Sequence, residues 1–109
     1  MATLALSRAS SPEKKICTAI RERRLLQFQY SGKPRVVAPY CYGFSIRDSA
    51  VLRAVQVGGE SGSGGFGFGK LWTVEQMSDV QVATETFTPD DPDYNPNDTA
   101  MKRVVCRID

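Results

Sequence analysis

Leu26-Gln-Phe-Gln-Tyr30-Ser-Gly-Lys-Pro34-Arg-Val-Val-Ala38 decides how this chain folds. Leu26, Phe28 and Tyr30 alternate with Gln27 and Gln29, the two-residue period of a strand with one buried face. Ser31, Gly32, Lys33 and Pro34 read as a hairpin turn, and residues 35–38 return as a second strand. Pro39 lacks the N–H that a ladder needs, so it is expected to stop that strand or confine it to an edge.

Upstream the period is helical. Ser10 with Glu13 fits a capping box, while Ser11 with Pro12 fits an N-cap and first-turn pair. Either start predicts a helix over about residues 11–24, with Ile16, Ala19 and Ile20 as a narrow apolar stripe. Downstream, residues 40–44 continue extended and Arg47, Asp48 and Ser49 supply a turn. Residues 50–57 are the most apolar stretch and are expected to be the central strand. A glycine-rich loop follows at 58–69, then a strand over 70–75, a tight corner at 76–79 and a strand over 80–87. Residues 88–98 are too polar and proline-rich for regular structure. In the last segment Met101, Val104, Val105 and Ile108 fall at helical spacing, which favours a helix, although the β-branched content argues for a strand. The pattern predicts a mainly β fold, a small SH3/Sm-like barrel of about five strands behind an N-terminal α-helix. Residues 1–9 are expected to be a disordered arm, 10–87 the domain, and 88–109 an acidic tail and C-terminal segment packing on it.

With 109 residues there is room for one such domain. No apolar run approaches the ~18 residues of a membrane span, and the opening residues lack the basic and apolar regions of a secretory leader. A cytoplasmic protein without membrane contact is expected. The chain has no histidine, and Cys17, Cys41 and Cys106 are far apart, so neither a structural zinc site nor a Ser-His-Asp or Cys-His centre is expected. The three cysteines read as reduced, partly buried thiols. No cofactor, metal or catalytic residue is indicated, and an enzyme is not expected. Charge is uneven: residues 1–53 carry +7 and residues 54–109 carry −5. This asymmetry fits a side facing a polyanion, or a basic helix paired with an acidic tail.

Gly62, Gly64 and Gly67 fit a G-x-G-x-x-G string, but a strand rather than a helix follows it, so it does not read as a dinucleotide fingerprint. Tyr40, Tyr42, Phe44, Phe66, Phe68 and Trp72 interleave with Arg35, Arg47, Arg53 and Lys70. Single-stranded nucleic acid is held by such a mixture, with bases on rings and phosphates on cations; the same residues could equally fill a core and dot a surface. Arg53, in the most apolar strand, is expected to pair with an acid such as Glu75 or to meet an anionic ligand.

From Ile16 to Val82 the order of features resembles the WYL domain family. The matching blocks run Ala19-Ile-Arg-Glu-Arg-Arg-Leu-Leu-Gln-Phe-Gln-Tyr30, Arg35-Val-Val-Ala-Pro39-Tyr40, Val51-Leu-Arg-Ala-Val-Gln-Val57 and Lys70-Leu-Trp-Thr-Val-Glu-Gln-Met77. Short stand-alone members are similar also in Gly58-Gly-Glu-Ser61-Gly-Ser63-Gly64 and in the run from Phe87 through Tyr94-Asn95 to Asp98. Ala50-Val51 stands where the family carries its Trp-Tyr pair, and Leu52 is kept. The resemblance implies an Sm- or SH3-like barrel and a ligand- or nucleic-acid-sensing module of prokaryotic regulators. Its ligand face would involve Arg35, Tyr40, Arg53, Gln56, Lys70 and Trp72. The expected function is non-catalytic binding of an anionic ligand, a nucleotide or single-stranded nucleic acid. The alternative is a protein-interaction or oligomerisation module, with a partner protein or a homodimer as its target.

Overall fold

A computed structural model describes residues 11–59, 70–92 and 94–108. Helix α1 (Pro12–Glu22) precedes β1 (Arg24–Tyr30), β2 (Lys33–Ser45), β3 (Ala50–Gly59), β4 (Lys70–Thr73), a 3-10 turn (Val74–Gln76), β5 (Met77–Thr86) and β6 (Met101–Arg107). The fold is mainly β, with one helix at its start and one antiparallel sheet. Ser11 is the N-cap and Pro12 opens the helix, which decides between the two starts. Arg23 adopts a left-handed conformation and its N–H closes back on Ala19 and Ile20, so the helix ends at Glu22 and Arg24 already belongs to β1. Ile16, Ala19 and Ile20 are buried as expected, joined by Cys17.

The sheet order is β4-β3-β2-β1-β5, with β6 added to β2. β2, not the strand over 50–57, is therefore the centre: it pairs with β3 along its length, with β1 over its first half and with β6 over its second. Pro39 does not stop it. The β2–β3 register shifts between Pro39 and Cys41, leaving Tyr40 as the additional residue, and the β1 ladder has ended before the β6 ladder begins. A bulge of this kind tolerates proline and bends the strand. The expected corner at 76–79 falls instead at the 3-10 turn, and Met77 already pairs with Tyr30. Asp79, which reads as a turn residue, takes its positive φ inside β5, where the register with β1 shifts. The expected helix over 101–108 is a strand. β6 supplies the hydrogen-bond partner that the second half of β2 lacks, and two register shifts along this ladder break the alternation of its apolar residues.

β4 and β5 stand at opposite ends of the sheet order yet are joined by three residues. In a flat sheet four spacings of ~4.8 Å would hold them ~19 Å apart, while the link from Thr73 to Met77 reaches at most ~14 Å. The sheet is therefore strongly curled. Inside the curl lie Leu26, Phe28, Val37, Leu52, Ala54 and Trp72, with α1 contributing Ile16, Ala19 and Ile20. On the opposite face of β2 and β3, β6 covers a smaller cluster of Cys41, Val51 and Met101. No helix of the described residues is long and apolar enough to cross a membrane.

The reading of three free thiols is overturned. Cys17 in α1 and Cys106 in β6 form a disulfide across 89 residues of sequence, and only Cys41 is free, buried at 0% exposure. Spacing along the chain carried no sign of this, because the two cysteines meet only after β6 has docked beside the helix.

Candidate functional site

The interior face of the curled sheet ends in a cationic and aromatic cluster. The two-residue turn at Ser31 and Gly32 sets Tyr30 opposite Lys33 and Phe28 opposite Arg35. Arg35 therefore shares the inner face with Phe28 and Val37 and is only 4% exposed. Across β3 its partner is Gly59, whose φ is +80°, and a side chain there would collide with the Pro34 carbonyl and the Arg35 backbone. Glycine at this position lets β3 lie close against Arg35.

The Arg35 guanidinium donates from Nε and Nη2 to the Tyr30 carbonyl at 3.3 and 3.1 Å. Its Nη1 is buried and has no hydrogen-bond partner among the described residues. Aromatic rings surround it, with its Cζ 5.5 Å from the Trp72 centroid and 5.8 Å from that of Tyr30. Trp72 packs edge-on against Phe28 and Tyr30 and donates from Nε1 to the Ala54 carbonyl. Lys70, exposed at the start of β4, places Nζ 4.8 Å from the Trp72 centroid. Gln56, paired with Val37 and 3% exposed, donates from Nε2 to the Gly58 carbonyl. Among the described residues no carboxylate forms an ion pair with Arg35. Cation–π contacts return ~0.5–2 kcal/mol each, but they do not satisfy an N–H, and a buried polar group without a partner loses ~1–3 kcal/mol. The arrangement is suited to accept an anionic oxygen at Arg35, with Phe28 and Trp72 buried beneath it and the half-buried Tyr30 ring beside it.

Of the six residues expected on a ligand face, the structure gathers Arg35, Lys70 and Trp72, and sets Gln56 beside Val37 on the neighbouring strand. Arg53 and Tyr40 lie elsewhere. Arg53, on the outer face of β3, makes a two-point contact with Asp98, Nε to Oδ2 at 2.7 Å and Nη2 to Oδ1 at 3.1 Å. The acid is thus Asp98 rather than Glu75, and it also accepts from the Ala100 N–H at the entry to β6. The Arg53 hydrogen bonds hold the Asp98 carboxyl below its usual range. Tyr40 packs against Phe87 and Tyr94 and lines a cavity of about 320 Å³ with Asp90 and Asp91. Burial and those two carboxylates raise its phenol, and the surroundings repel an anion. The wider aromatic series is likewise divided. Tyr42 and Phe44 lie together, with Arg103 over Phe44, while Phe66, Phe68 and the glycine string at 62–67 fall outside the described residues. The described ion pairs do not link the basic helix to the acidic tail.

Tyr30 and Phe28 complete the cluster and read from sequence only as strand core. The signal for them lay in the hairpin: once its turn is two residues long, Phe28 must face Arg35. Elsewhere, burial pushes the free Cys41 thiol up to about 11, which leaves it unreactive. Burial, then the nearby Glu13 carboxylate, pushes the Tyr42 phenol up to about 12. Among the described residues no group of His, Cys, Asp or Glu could hold a metal ion. No family model, curated protein or solved structure matches the chain.

Proposed function

We propose that the chain is a non-catalytic, ligand-sensing WYL-like module, an SH3/Sm-like barrel whose inner mouth binds an anionic ligand, a nucleotide or single-stranded nucleic acid. The observation that carries this reading is the Arg35 Nη1, buried between aromatic rings with a free hydrogen to donate. Lys70 at the rim draws the anion in, Arg35 takes the phosphate or carboxylate oxygen, and the half-buried Tyr30 ring is left to meet the attached base, with the fully buried Trp72 as its support. Arg53 and Tyr40 are left out of the site, the first because Asp98 engages it and the second because its neighbours are acidic. The curled sheet, with its ends joined through a single 3-10 turn, supports the barrel assignment. The same proposal places the module in the cytoplasm.

A titration with mononucleotides and with single-stranded DNA and RNA at two salt concentrations tests it. Arg35→Met should weaken binding by ~30-fold or more, in line with loss of a charge-assisted hydrogen bond, while Lys70→Ala should weaken it several-fold and reduce the salt slope by about one. The melting temperature of Arg35→Met should be unchanged or higher, since an unpaired buried cation is replaced by an apolar side chain of similar volume. Binding that is indifferent to Arg35→Met, or no binding to any of these anions, overturns the reading.

A further inference from the structure

The disulfide stands at the wall of a second, separate cavity. It occupies about 580 Å³ beside α1 and is lined by Cys17 and Cys106 together with Lys14, Lys15, Arg21 and Glu13. Two of these charges are already committed: Lys15 donates from Nζ to the Val80 carbonyl, and Glu13 accepts from the Tyr42 hydroxyl. Lys14 and Arg21 are exposed, and among the described residues no hydrogen bond or ion pair engages them. They precede and follow Cys17 by three and four residues, so the helix sets all three on one face. Cys17 is 7% exposed, while Cys106 is only partly buried. Both half-cystines thus line the cavity, Cys106 as the more exposed residue and Cys17 on the helix face that carries two exposed cations.

We propose that the Cys17–Cys106 disulfide is a thiol-exchange site, and that the reagent it takes is a small thiol carrying its own carboxylate. The cavity admits a small molecule, and its cations attract a negative one. The thiolate of that molecule attacks Sγ of Cys106, the more exposed of the two residues, and forms a new S–S bond there. The electron pair of the old bond leaves on Sγ of Cys17, whose thiolate is stabilised by Lys14 and Arg21. The incoming thiol is oxidised to the disulfide level and Cys17 is reduced. A second thiolate then attacks the mixed disulfide, releases the symmetrical small-molecule disulfide, and leaves Cys106 as a thiolate; protons from water complete the dithiol. The proposal does not depend on the Arg35 site, which lies on the inner face of the sheet.

The test uses the intact oxidised chain with mercaptopropionate, mercaptoethanol and cysteamine, which are anionic, neutral and cationic. Exchange is quenched with iodoacetamide and followed by intact mass, and rates are compared per thiolate. At low salt the anionic thiol should react ~10-fold or more faster than the cationic one, as for a reactant steered by local charge. That ratio should shrink at high salt and in the doubly substituted Lys14→Gln, Arg21→Gln chain, and peptide mapping should place the first adduct on Cys106. Both substitutions are at exposed helix positions, and the salt dependence of the unsubstituted chain decides the matter if that variant fails to fold. Equal rates for the three thiols, a first adduct on Cys17, or exchange only in denaturant would each overturn the proposal.

Discussion

Arg35, buried, and Arg53, partly buried, have opposite roles. Arg53 has a carboxylate matched to it, Asp98, and the pair pins the tail to the outer face of β3. Arg35 has rings and one carbonyl but no counter-charge among the described residues. Only Arg53 read from sequence as an unusual cation, because it interrupts an apolar stretch, whereas Arg35 directly follows the polar turn. Which one kept a free hydrogen was not readable, since Asp98 lies 45 residues from Arg53. The pair should show in pH dependence. Asp98 is held below its ordinary 3.8 by the Arg53 hydrogen bonds, so its stabilisation is complete above that value and is lost as the pH falls through the depressed one. Asp98→Asn should lower stability by about 2 kcal/mol at neutral pH, because Arg53 is left partly buried without its counter-charge. Below pH 3.8 the difference from the unsubstituted chain should close, as urea unfolding at a series of pH values would record.

At the scale of elements, β2 and β6 depart most from the sequence reading. Local pattern located α1, β1, the hairpin and β3, because each carries its own period and caps. β6 has no such autonomy: it is a strand because the second half of β2 offers an open ladder. Gly43 makes the docking possible. A β-carbon there would run into the Arg103 carbonyl and the Val104 backbone, neither of which can withdraw without disturbing the ladder, and would also crowd the Met101 sulfur. Gly43→Ala should therefore destabilise the fold by ~2 kcal/mol, the scale of an overpacked contact. Hydrogen exchange should localise the damage, with amides of β6 losing protection before those of β1 and β5. Uniform loss of protection across the sheet would mean that β6 and the curled sheet unfold as one unit.

For the whole molecule, the disulfide and the curl of the sheet matter most. Linking residues 89 apart removes much of the freedom of the unfolded chain, worth ~4 kcal/mol in the loop-entropy account. Replacing Cys17 and Cys106 together by serine should lower the melting temperature by ~15 °C or more at constant salt, given ~4 °C per kcal/mol for a domain of this size. The same result should follow from reduction of the unsubstituted chain, and calorimetry of the two would check their agreement. By itself the sequence determined that the chain is mainly β with a leading amphipathic helix, because periods of two and of three to four residues are local consequences of backbone geometry. The ligand face of Arg35, Tyr40, Arg53, Gln56, Lys70 and Trp72 came only from a resemblance, because no local pattern says which of these side chains share a face. Only the tertiary structure decided that Arg53 belongs to Asp98, that Tyr30 and Phe28 join Arg35, that residues 101–107 are a strand, and that Cys17 meets Cys106. Each of these depends on which segments far apart in the chain become neighbours, and that is set by the ladders of β2 and the closing turn between β4 and β5, not by any residue's own preference.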